Sequence, residues 1–112
     1  MAQLLGAISA LTITSQATAA ISSLQFVGFD GAPAGDGDAV LGVARTDAGI
    51  GDNVAVDVIA VLDLIAGAAI PLGSAIQSNA DGAPIAKAAG VQIGTAITAA
   101  ANPGDIVKIL IK

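Results

Sequence analysis

The stretch from Asn53 to Ala66 constrains the fold most. Val54, Val56, Val58, Ala60, Leu62 and Leu64 occupy its even positions, and all are apolar. Ala55, Asp57, Ile59, Val61, Asp63 and Ile65 alternate with them and mix charge with apolar groups. Strict two-residue alternation is the mark of a half-buried β-strand. Fully extended, the stretch would reach ~40 Å at about 3.3 Å per residue, long for one strand of a small domain. A bend or bulge is therefore predicted near Ile59-Ala60, carrying the chain from one side of a barrel to the other.

The other strand-like segments are short and separated by turn formers. They are Leu11 to Thr14, Leu24 to Phe29, Val40 to Thr46, Ala69 to Ser78, Ala83 to Ala88, Gln92 to Ala99 and Asp105 to Lys112. DGAPAGDGD (30–38) and DAGIGDN (47–53) read as loops. In the closing segment Val107, Ile109 and Ile111 share one face, predicted to be core, while Lys108 and Lys112 point the other way. The Ala-rich stretch from Ala96 to Ala101 also has the propensity for a short helix. The apolar mass is Ala, Val, Ile and Leu, with Phe26 and Phe29 as the two aromatic residues. Together with 14 Gly, this is material for strands and tight connections. The expected fold class is all-β: a small β-barrel or sandwich of short strands.

The chain also echoes itself. Residues 42–58 read GVARTDAGIGDNVAVDV and residues 94–111 read GTAITAAANPGDIVKILI. Both fit G-x-A-x-T-x-A, a short gap, then G-D-x-V, if the second is allowed one extra residue. Each copy is then strand, Gly-Asp turn, strand, and two such hairpins suggest pseudo-twofold barrel geometry. Two copies are too few for a solenoid.

Little here can do chemistry. There is no His, Cys, Trp, Tyr or Glu, and all nine acids are Asp. Acid–base and nucleophilic catalysis usually draw on His, Cys, Glu or a tuned Lys. Asp57 and Asp63 could form a carboxylate dyad, but the simpler reading makes them solvated positions at the ends of a strand face. Asp30, Asp36 and Asp38 resemble a calcium loop without its closing Glu. Gly35, Gly37 and Gly42 do not make a G-x-G-x-x-G phosphate loop. Arg45 and Lys87 read as isolated surface cations. No catalytic, cofactor-binding or metal-binding residues are expected. The net charge of −5 disfavours nucleic acid and anionic membranes as partners.

The first ten residues, MAQLLGAISA, are apolar but carry no base, as a secretory signal would. Thr12, Thr14, Ser15 and Gln16 end the apolar run short of the ~20 residues a membrane helix needs. The expected organisation is an apolar arm over residues 1–10, followed by a single barrel domain over residues 11–112.

GDAVLGVARTDAGIGDNVAVDVIAVLDLIAGAAIPLGSAI and GVQIGTAITAAANPGDIVKILIK resemble the DUF2190-like tailed-phage capsid decoration, or cement, proteins. The likeness runs through Gly42 to Ala48, Gly51-Asp52, Val61 to Leu64, Ala66 to Gly73 and Gly94 to Leu110, and spans about residues 11–112. The apolar opening departs from the more polar start of relatives. The resemblance implies a non-enzymatic structural virion protein on the exterior of a phage capsid. Its partner would be the major capsid protein, and it would cement neighbouring subunits. It also implies a homo-oligomer, with a trimer favoured and a dimer as the alternative. Leu4, Leu5, Ile8 and Leu11 are the expected capsid contacts of the arm. The competing reading is a non-catalytic binding module, either a tail-fibre accessory domain or a secreted adhesin-like β domain.

Overall fold

A computed structural model describes residues 8–111. Eight strands are present: β1 (Ile8–Gln16), β2 (Phe26–Val27), β3 (Gly42–Ala44), β4 (Asn53–Ile65), β5 (Ala75–Ser78), β6 (Pro84–Ala86), β7 (Gly94–Ala96) and β8 (Ile106–Ile111). No helix occurs among the described residues, so Ala96 to Ala101 is not helical. It enters β7 and then a bridge between Ile70 and Ala100.

All pairings are antiparallel, in the order β2-β3-β4-β8-β7-β5-β6, with β1 also paired to β4. The sheet nearly closes on itself. Phe26 N donates to Gly82 O and Gly37 N to Ser78 O, each at 2.8 Å, joining the β2 edge to the β5–β6 hairpin. The result is a small all-β barrel, as expected.

β4 runs as one strand of 13 residues. Its pairing with β1 slips twice: Ser9 faces Ala60, Leu11 faces Ile59, and Thr12 faces Asp57. Val58 is thus the extra residue on β4, close to the predicted bend. The two ends of the strand serve different cores. Val54 and Val56 pack in a smaller core with Ala17, Ile21, Val27, Ala44 and Ala48. Ala60, Leu62 and Leu64 enter the main core, which holds Phe26, Val43, Ile76, Val107, Ile109 and Ile111.

The sequence echo becomes a repeated hydrogen-bond scheme. Phe26 and Val27 face Val43 and Gly42; Ala75 and Ile76 face Thr95 and Gly94. Ile21 bridges Ala48 as Ile70 bridges Ala100. Ala17 N donates to Asp52 O as Ala66 N donates to Asp105 O, both at 2.8 Å. Each Gly-Asp turn is closed by its own aspartate, which accepts from Gly49 N (2.9 Å) or Asn102 N (3.0 Å). Gly51 and Gly104 hold φ of 87° and 91°, a region open to Gly at little cost. The correspondence extends to β1: Ile13 faces Val56 and Ser15 faces Val54, as Leu62 faces Ile109 and Leu64 faces Val107. The chain is therefore two like units. β1 to the front of β4 makes the first, and the rear of β4 to β8 the second, with β4 belonging to both.

Candidate interaction surface

The carboxylates are engaged in holding the fold. Asp57 is 2% exposed, not a solvated strand end. Its Oδ1 accepts from Ser9 Oγ (2.8 Å) and Thr12 Oγ1 (2.7 Å), and Arg45 Nε lies 3.3 Å from Oδ2. β1 lies beside this part of β4, and its hydroxyls take the place of water around the carboxylate. Arg45 is therefore a partner of Asp57 and not an isolated cation. Asp63 is half-buried, with Lys108 Nζ 3.1 Å from its Oδ1 across the β4–β8 ladder. Asp57 and Asp63 do not form a dyad, since each is matched to its own cation.

The DGAPAGDGD loop uses its acids in the same way. Asp30 Oδ1 accepts from Ala32 N (3.1 Å), Asp38 Oδ2 from Gly35 N (2.9 Å) and Asp36 Oδ1 from Gln77 Nε2 (3.3 Å). Among the described residues, no three His, Cys, Asp or Glu come together. Because these aspartates satisfy nearby donors, thermal unfolding should give the same melting temperature with and without EDTA. A drop of many degrees in EDTA would show that a divalent ion holds the loop.

A cleft of about 400 Å³ is lined by Ser22, Leu24, Gln25, Ile65, Asp81 and neighbours. It offers one carboxylate and no base. The sheet face shared by β4, β8 and β7 presents apolar side chains on either side of one ion pair. Direct antiparallel partners present their side chains on one face. Ile65 and Ile106 form one such pair, 55% and 63% exposed, and Val61 and Leu110 another, half-buried. The Asp63–Lys108 pair sits between them. Ile97, 43% exposed, donates its N–H to Lys108 O (2.8 Å) and so adjoins the same row.

The first unit serves as an internal comparison. At the equivalent positions Gln16 faces Asn53, Thr14 faces Ala55 and Thr12 faces Asp57. Arg45 stands where Ile97 stands, since its N–H donates to Ala55 O (2.9 Å). The fold thus accepts polar groups at the outer two pairs of this face, where the second unit carries apolar ones around its Asp63–Lys108 pair. Sequence reasoning missed this face because its members lie on three separate segments. The signal that could have found it is the echo itself, aligned residue by residue.

Of the expected arm contacts, Leu4 and Leu5 lie outside the described residues. Ile8 opens β1 opposite Val61, and Leu11 faces Ile59 and is 44% exposed. The boundary expected after residue 10 thus falls inside β1, whose pairing continues back to Ile8.

A search of curated proteins finds no match. Among solved structures, the chain is similar to the head fiber gp8.5 N base of bacteriophage phi29. The TM-score is 0.70 at 21% identity, covering 91% of this chain and 93% of that one. At that identity the likeness speaks for the fold. The family model for phage cement proteins matches residues 7–111, nearly the whole barrel. The chain therefore belongs to the phage cement protein family.

Proposed function

We propose that this protein binds the exterior of a phage capsid as a homo-oligomer and cements neighbouring subunits of the major capsid protein, without catalysis. The observation that carries this reading is the apolar face of the second unit, on a chain of the cement family. An exposed apolar sheet face rimmed by polar groups marks a protein contact. A protein that binds the assembled shell and not its dissociated subunits raises shell stability by mass action. The oligomer is taken as a trimer by analogy with decoration proteins, with a dimer as the alternative.

The N-terminal segment through Leu11 is assigned to the shell, with Leu4, Leu5, Ile8 and Leu11 seated in apolar grooves between capsid subunits. Burial of such side chains offsets the entropy of ordering the segment. β1 pairs from Ile8 onward, so a chain lacking residues 2–7 should still fold. Mixed with undecorated expanded shells and pelleted, it should bind more weakly than the full chain and raise the shell's melting temperature less. Equal binding and stabilisation would remove residues 2–7, with Leu4 and Leu5, from the contact. If the full chain neither binds nor stabilises shells, the cement reading fails.

A further inference from the structure

The two units are alike in build but differ in what covers them. Leu62 and Leu64 of the second unit are buried in the main core, together with Phe26 and Val43 of the first unit. The first unit has Ile13 and Ser15 at the equivalent positions. Among the described residues nothing covers them as Phe26 and Val43 cover the leucines, and Ile13 is 38% exposed.

The second unit carries the counterparts of those covering residues. Ala75 and Thr95 pair with each other as Phe26 and Val43 do. Thr95 faces Leu110 on β8, so this surface continues into the apolar face described above, with Ile97 beside it. In the first unit, Asp57 and Arg45 occupy the places of Leu110 and Ile97. Among the described residues, β1 thus has no face covering it and the β7–β8 face has no strand beneath it. What fits each is a second copy of this chain.

We infer that copies associate head to tail: the β7–β8 face of one copy seats on β1 of the next, around Ile13. This repeats between chains the contact that the two units make within one chain. Such a contact is heterologous, so it closes into a ring or grows open-ended according to its angle. The inference deepens the self-association in the reading above and rests on that part alone, since it does not require shell binding.

The test uses two full-length variants. Ile13→Lys places a charge on the β1 side. Thr95→Arg alters the covering side at the place that Val43 holds in the first unit. Neither side chain is buried, so folding should survive, which circular dichroism melts verify. Sedimentation equilibrium should show wild-type protein as an oligomer and each variant alone at the mass of one protomer. Mixed one to one, the variants should form a two-chain complex, because each retains the patch the other has lost. A protomeric wild type, variants that keep the wild-type mass, or a mixture that stays protomeric would overturn the head-to-tail contact. A self-associating chain that ignores capsid shells would instead overturn the cement reading and leave this contact standing.

Discussion

Ile109→Asp should abolish cooperative folding. Ile109 is fully buried, faces Leu62 on β4 and Ala96 on β7, and belongs to the main core. A carboxylate there has no cation beside it and must either lose its hydration or push β8 out of the sheet. Changes of this type cost about 4 kcal/mol or more. A domain this size has about 5–15 kcal/mol in total. Ile106→Asp is the control, because it lies on the same strand but 63% exposed on the opposite face. Circular dichroism melts should show a sharp transition for Ile106→Asp and none for Ile109→Asp. A cooperative melt from the Ile109 variant would mean that β8 presents its other face to the core.

Gly42→Ala and Gly94→Ala should each cost about 3 kcal/mol, the upper end of what an added methyl costs in a packed interior. A Cβ on Gly42 would fall inside the Asp57 carbonyl oxygen, and one on Gly94 inside the Leu110 carbonyl oxygen. Both obstacles are backbone atoms of a paired strand, so neither can swing aside as a side chain could. Gly49→Ala meets only Asp52 Oδ2, at 3.4 Å, and should change stability by no more than about 0.5 kcal/mol. Urea unfolding of the three variants checks the contrast. If Gly42→Ala and Gly94→Ala match Gly49→Ala, the strands have room that the structure denies them.

These two glycines explain why the duplication was legible. Close backbone approach at Gly42 and Gly94, and positive φ at Gly51 and Gly104, demand the same residue type in both units. The G-x-A and G-D elements therefore survive as letters. The opening strand of each unit has no such demand. Ile13 and Leu62, or Ser15 and Leu64, share a position in the ladder but no common motif, so the likeness of β1 to the rear of β4 shows only in the pairing. Alternation announced β4 and its bend, because one side of a strand must face a core. It could not tell Asp57 from Asp63. The two look equivalent along the strand; they differ because β1 pairs beside Asp57 and brings its hydroxyls there. Ser9 and Thr12, polar residues within an apolar opening, were the available hint. Most short strands were read too long, β5 only at its start, while β1 was read too short; apolar residues in loops look the same as in ladders, and Phe29, 72% exposed, is one such residue.

The sharing of β4 between the two units has a mechanical consequence. Interstrand hydrogen bonds of an antiparallel sheet run perpendicular to the strands. Tension along β4 therefore loads the β1 ladder at one end and the β8 ladder at the other in shear, and many bonds must fail together. A pair of domains joined by a linker would instead part at the linker under the same pull. Here no hinge separates the units, and a force entering at one end of the barrel is carried by a continuous strand to the other.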